Sequence, residues 1–265
     1  MNILELIDLK LIYNILFEAS SETLKTLYSD KKYLGAKIGF TSVLHTWRQN
    51  VGLHPHIHCI IPGGDMDSLG RWKPSKKKFF LPVKVLSEVF QGKYLDRLKK
   101  SFDTLKLAKK EQLQEIIDIC YEKQWVVYKK KPLKSARHVI KYLGRYTHRI
   151  AISNARIVKY EDNRVTFKFK DYKDNNKLKD MTLDGTEFFR RYMFHVLLKG
   201  FMKIRHYGFL GNSKKEDRMA AIRTATNTPD PGSLTIIPEE IISGLIKRDV
   251  TICIVCRQKR HHQLE

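Results

Sequence analysis

Apolar residues recur at three- and four-residue intervals at Ile7, Leu11, Ile12, Ile15, Leu16, Leu24 and Leu27, which predicts a helix over residues 4–29. The period then changes to two. Ile38, Phe40, Ser42, Leu44 and Thr46 alternate with Lys37, Gly39, Thr41, Val43 and His45, so residues 36–47 read as a strand. After a short turn, residues 54–62 read as a second strand, closed by Gly63-Gly64. Residues 82–110 and 112–122 return to helical spacing, as does the stretch 133–149 after Pro132. Residues 156–160, 164–170 and 177–183 predict a meander, with turns at Glu161-Asp162-Asn163 and Asp174-Asn175-Asn176. A helix over 186–198, a strand over 201–210 and a basic helix over 214–226 follow. Two prolines in 228–232 then break the chain.

Helices and strands mix without strict alternation. That pattern favours an α+β fold with an antiparallel sheet over a doubly wound parallel one. The break near 227 separates a main domain, residues 1–226, from a C-terminal tail, residues 227–265, expected to be partly flexible. No Gly-x-Gly-x-x-Gly and no Walker-type loop occurs, so nucleotide-triphosphate chemistry has no support in the sequence.

Composition narrows the partner. The 265 residues carry 50 Lys plus Arg against 28 Asp plus Glu, a net charge of +22. A hydrophobic content of 42% supports a real core and excludes a wholly disordered basic chain. So large a positive charge points first to nucleic acid, then to an anionic membrane, then to an acidic protein. No apolar run is long enough to cross a membrane, and the acidic start Met1-Asn2-Ile3-Leu4-Glu5 does not resemble a signal peptide. Four cysteines do not make a disulfide scaffold, and a reducing cytoplasm fits.

The most informative stretch is His54-Pro55-His56-Ile57-His58-Cys59. On a strand the three histidines share one face, while Pro55, Ile57 and Cys59 share the other. Imidazoles two residues apart on a rigid strand can clasp a divalent metal; ligand type alone suggests zinc, copper, nickel or manganese. If hairpin partners sum to 101 or 103, His45 lies opposite His56 or His58 and becomes a third candidate ligand. A one-residue shift turns it away, and Gln49 in the turn is then the alternative. A packed histidine cluster without metal would show the same spacing.

The second informative stretch is Lys141-Tyr142-Leu143-Gly144-Arg145-Tyr146-Thr147-His148-Arg149. On a helix Tyr142 and Tyr146 stand one turn apart, flanked by Lys141, Arg145 and Arg149. Two phenols among cations are candidate nucleophiles toward a phosphodiester, although Tyr-x-x-x-Tyr is also ordinary helix packing. Further basic clusters with aromatic neighbours lie at Lys76-Lys77-Lys78 beside Phe79 and Phe80, at Lys129-Lys130-Lys131, and at Lys203 and Arg205 beside Tyr207 and Phe209. Cations can follow a phosphate backbone and aromatics can stack on unpaired bases, or those aromatics belong to the core.

Taken in order, these segments resemble the rolling-circle insertion-sequence transposases of the two-tyrosine class, within the HUH endonuclease superfamily. The matching segments are His45-Thr46-Trp47, Gln49-Asn50, 54–64, 142–153, Phe188-Phe189-Arg190-Arg191 and 195–210. The resemblance implies an HUH-like catalytic domain over 1–226 and bacterial cytoplasmic chemistry on single-stranded DNA at transposon ends. It further implies that His56 and His58 hold Mg²⁺ or Mn²⁺, and that Tyr142 or Tyr146 forms a 5′-phosphotyrosine during cleavage and strand transfer. The family usually carries a Cys-rich zinc module and a strand before the first helix, and a Cys-x-x-Cys-Gly where this chain has Cys253-Ile254-Val255-Cys256-Arg257. A copy shortened at both ends is the expectation, with a non-catalytic nucleic-acid-binding remnant as the alternative reading. An RNA nuclease using the histidines as acid and base is a second rival; it would form no covalent adduct.

Overall fold

The computed structural model describes residues 9–67, 70–75, 81–104, 110–130, 133, 135, 138–140, 142, 144, 151–213, 215–230, 232, 249 and 251–252. Its contacts divide the chain into Met1–Thr226 and Asn227–Glu265. The first unit is α+β, with antiparallel sheets flanked by helices. No described helix is long and apolar enough to cross a membrane.

Helix α1, Leu9–Ser29, turns a broad apolar face inward: Ile12, Tyr13, Leu16, Phe17, Leu24, Leu27 and Tyr28 are all buried. That face covers the hairpin of β1, Phe40–Trp47, and β2, Leu53–Ile60. Leu44 of β1 packs with Ile12, Tyr13, Leu16 and Phe17, and Ile57 of β2 joins them. Phe40 packs with Leu24, Leu27 and Tyr28, and Cys59 lies against that group. The non-histidine face of β2 is therefore the face that meets the core.

Short strands β3, Gly64–Met66, and β4, Trp72–Pro74, form a two-stranded ribbon. Helices α2, Val83–Thr104, and α3, Lys110–Glu122, follow, and Leu95 and Ile117 bury between them. Residues 138–140, 142 and 144 are helical.

The predicted meander is a second antiparallel sheet of β5, Ile157–Glu161, β6, Arg164–Asp171, and β7, Lys177–Asp184. Its two turns use the residues that tolerate left-handed backbone: Asp162 and Asn163 have φ 48° and 56°, and Asn175 and Asn176 have φ 47° and 63°. Helix α4, Gly185–Met193, starts where the Asp184 carboxylate accepts the Thr186 N–H at 3.0 Å. Phe167, Val165 and Phe188 build a second core that also takes in Val51 and Ala151.

Strand β8, Ile204–Tyr207, then returns to pair with β1, giving a first sheet of order β2-β1-β8. Helix α5, Lys215–Thr226, closes the unit.

β1, β8 and α4 are among the elements shorter than their sequence patterns. β1 begins at Phe40 rather than at Ala36, and β8 stops at Tyr207 rather than Leu210. Both limits meet at one crossing. Gly208 has φ 61°, and a Cβ there would lie 2.3 Å from the Ile38 carbonyl oxygen. The chains approach too closely for the ladder to continue. Helix α4 ends at Met193 because His195 is drawn inward, as described below.

Asp65 anchors the start of β1. It is 2% exposed, and its carboxylate accepts the Gly39 N–H at 2.9 Å and the Met66 N–H at 2.7 Å. Burial outweighs these two bonds and pushes its pKa up from 3.8 to about 6. The folded state thus holds the proton more tightly than the unfolded chain. This contribution to stability is complete below 3.8 and is lost as pH rises through about 6. Urea unfolding of wild type and Asp65→Asn should therefore diverge in favour of wild type as pH falls from ~8 to ~5. A difference independent of pH would contradict the raised value.

Candidate metal and nucleophile site

β1 and β2 pair antiparallel with His45 opposite His56, Leu44 opposite Ile57 and Val43 opposite His58. Partners sum to 101 along this stretch, one of the two registers that put His45 on the histidine face. A register irregularity lies between His45 and Trp47. His45, His56 and His58 each offer a ring nitrogen, and these atoms all lie within 4.8 Å of one another.

The ring orientations are set individually. His56 Nδ1–H donates to the His54 carbonyl at 2.8 Å, which leaves the Nε2 lone pair facing the cluster. That Nε2 is 3.2 Å from His45 Nδ1 and 3.1 Å from His58 Nε2. One lone pair therefore faces two neighbouring nitrogens. Nitrogens held ~2.1 Å from a common ion, at right angles, lie about 3 Å apart, which is the separation of His56 from each of its two neighbours. Burial, then the neighbouring imidazoles and Lys203, pushes His45 down to about 3. Burial, then His56 and Lys130, pushes His58 down to about 4. Burial lowers His56 as well. All three are kept neutral, the form that ligates metal.

Tyr142 completes the cluster. Its Oη is 2.9 Å from His58 Nδ1, and its ring stands edge-on to the imidazole, with centroids 6.0 Å apart. The Lys130 ammonium lies 5.2 Å from the centroid of the Tyr142 ring. On the other side Trp47 packs on His45 with centroids 4.0 Å apart, and the Lys203 ammonium lies 5.1 Å from the Trp47 ring centroid. Two lysines thus border the histidine trio, each laid over an aromatic ring.

The remaining candidates go elsewhere. His54 is exposed and pairs with Arg48 at 3.3 Å. The Gln49 side chain donates to the Tyr172 hydroxyl at 3.3 Å. Arg205 donates to Asn14 and stacks on Phe17 at 4.1 Å and on Phe201 at 5.6 Å, so its guanidinium is taken up by packing. Tyr207 stacks on Phe40 with centroids 4.7 Å apart. Tyr146, Lys141, Arg145, Arg149, Phe79, Phe80, Cys253 and Cys256 lie outside the described residues.

Residues 39–217 match the family model described as "Putative transposase" (Y2_Tnp). The chain belongs to this family. It is 42% identical over 262 residues to "Putative transposase y4qJ" of Sinorhizobium fredii, covering 94% of this chain and 66% of that protein. It is 26% identical over 255 residues to "Transposase for insertion sequence element IS801" of Pseudomonas savastanoi pv. phaseolicola, covering 92% of this chain and 60% of that protein. The chain thus spans less than two thirds of either transposase. No solved structure matches it.

Two residues of this transposase-family chain make contacts that local sequence did not indicate. One is Lys130, separated from Tyr142 and His58 along the chain. The other is His195, which is 3% exposed. Its Nε2–H donates to the Val51 carbonyl at 3.0 Å, and its Nδ1 accepts the Thr46 hydroxyl at 3.1 Å. Val51 sits in the β1–β2 turn with φ 61°, a costly conformation for a β-branched residue, of order 1–3 kcal/mol. Arg156 and Arg191 donate to the Gln49 and Asn50 carbonyls of the same turn. Arg156 just before β5, Arg191 on α4 and His195 just after it therefore clamp the hairpin that carries the histidines.

His195→Ala should lower stability by about 2–4 kcal/mol, since it strands a buried carbonyl and hydroxyl and leaves a strained turn unsupported. Urea midpoints measure this, and a loss below ~0.5 kcal/mol would mean that the clamp is immaterial.

Proposed function

We propose that this chain is the catalytic part of a rolling-circle transposase, cleaving and rejoining single-stranded DNA through a covalent tyrosine intermediate. The observation that carries the reading is Tyr142 Oη held 2.9 Å from His58 Nδ1, at the edge of three converging imidazole nitrogens. Membership of a transposase family supports DNA as the substrate, and a net charge of +22 supports binding to phosphate.

On this reading His45, His56 and His58 hold the metal, and Tyr142 and Tyr146 are the nucleophiles. Mg²⁺ or Mn²⁺, when bound, would withdraw charge from the scissile phosphate, with phosphate oxygens and water filling the shell. With Nε2 turned to the trio, His58 would keep its proton on Nδ1, where it would donate to the Tyr142 oxygen and favour its phenolate form. The Lys130 ammonium over the ring favours the same charge. The phenol releases its proton to solvent, its oxygen forms a bond to phosphorus, and the bond from phosphorus to the 3′ oxygen breaks. The 3′ oxygen takes up a proton from water. One phosphodiester replaces another, so the 5′-phosphotyrosine retains the bond energy and rejoining needs no nucleotide. The second tyrosine serves the second strand-transfer event. On the same reading Lys203, which lies beside His45 and over Trp47, contacts the DNA backbone.

Calorimetric titration with Mn²⁺ should show one site in the wild type, with affinity at least about tenfold weaker in His56→Ala and in His58→Ala. Equal affinities would remove the metal site.

Incubation with single-stranded transposon-end DNA and Mn²⁺, followed by a denaturing gel, should show a protein–DNA adduct. Tyr142→Phe and Tyr146→Phe each remove one oxygen and preserve packing. The double variant should form no adduct, each single variant should retain a partial reaction, and all three should still bind DNA through Lys and Arg. An adduct in the double variant would place the nucleophile elsewhere.

A further inference from the structure

The segment between α3 and Tyr142 contributes Lys130 to the site, and the residues leading to it have no part in the chemistry above. Residues 124–130 form neither helix nor strand, yet burial alternates over 124–128, and Lys129 and Lys130 beyond are both exposed. Trp125 and Val127 are half-buried, while Gln124, Val126, Tyr128 and Lys130 are exposed. Alternation of this kind is what an extended backbone produces.

The inward side chains fix the segment. The Trp125 ring packs against Phe90 and Tyr94, with centroids 5.5 Å and 5.3 Å away, and its Nε1–H donates to the Cys120 carbonyl at 3.0 Å. The Ser87 hydroxyl donates to the Trp125 carbonyl. Val127 packs against the core group that contains Phe40, Leu81 and Leu86. With Trp125 and Val127 anchored, the alternate side chains must face solvent. Val126 is 95% exposed and Tyr128 79% exposed, an apolar pair presented to water on a firmly held backbone.

The outward row leads to the nucleophile. Lys130 follows Tyr128 by two residues, about 7 Å of extended chain, and its ammonium lies over the Tyr142 ring. Two residues of extended backbone match the order of one nucleotide of stretched single strand. Lys129 and Lys130 supply cations beside an aromatic face that accepts any base.

We propose that Tyr128 is a stacking platform for a base of single-stranded DNA flanking the scissile phosphate, with Lys129 and Lys130 following the strand's backbone. The inference rests on the single-stranded DNA reading above and adds the surface on which the strand is received.

The test needs neither metal nor cleavage. Affinities of the full chain are measured, without divalent ions, for oligothymidylate and for an abasic strand of equal length. Tyr128→Ala should weaken oligothymidylate binding about 5- to 100-fold and leave the abasic strand unchanged, because stacking needs a base and phosphate contacts do not. Tyr128→Phe, which keeps the ring, should bind both strands as wild type does. Tyr160→Ala, at a similarly exposed tyrosine on β5, should change neither. Equal losses on both strands, or no loss on oligothymidylate, would overturn the platform while leaving the histidine–tyrosine reading intact. Wild type that binds neither strand would overturn both.

Discussion

A slip of one residue between β1 and β2 would turn His45 to the helix-covered face and leave two histidines where there are now three. The register is held from both sides. On the inner face, Leu44, Ile57 and Phe40 can occupy the α1-lined core in one alignment, because their alternation fixes which residues point inward. At the open end, the turn through Val51 is locked by His195, Arg156 and Arg191, all contributed by chain more than a hundred residues downstream. The strained backbone at Val51 is tolerated because the second sheet buries that side chain completely. The histidine trio is thus a consequence of two cores meeting at one hairpin.

Much of this was legible in the chain because it depends on local periods. The two-residue alternation through 38–47 and 54–60 located the hairpin and the shared face of His56 and His58, and left His45 on that face in only one of the possible registers, the one that the structure adopts. The Asp-Asn and Asn-Asn turns of the meander were legible because those side chains tolerate left-handed backbone. Strand ends were less legible. Nothing local marks the crossing of Gly208 over Ile38, a contact between segments 170 residues apart in sequence. Asp65 was missed, and the contacts made by His195 and Lys130 were not read, for the same reason. Each acts through a distant backbone group or ring, and a lone polar residue carries no period to reveal that. Arg205 was read as a basic neighbour of Tyr207 and Phe209, and nothing local indicated that it would stack on Phe17 and Phe201 of the core.

The tyrosine pair lies between these cases. Helical spacing put Tyr142 and Tyr146 on one face, and residues 138–140, 142 and 144 are helical. Spacing alone did not say that Tyr142 would stand against His58. That contact joins a helix to a strand across a separation of 84 positions in the chain, and tertiary packing sets it.

The charge around the trio bears on how such a site would fill. Among the described residues, the clustered metal-ligating groups are histidines alone, all held neutral by burial and by one another. Two lysine ammonium groups stand close enough to influence them. A dication entering this setting gains three nitrogen ligands but meets positive neighbours and no described carboxylate among its ligands. A hard ion such as Mg²⁺ or Mn²⁺ prefers oxygen, so the nitrogen trio satisfies it incompletely. A DNA phosphate corrects both deficits, since it brings oxygen ligands and negative charge to the ion and to Lys130 and Lys203 together. On the proposed reading, metal and strand therefore favour each other's binding, and by linkage the coupling is equal in both directions. On that reading the site would take up metal weakly in the free protein and become competent where single-stranded DNA is present.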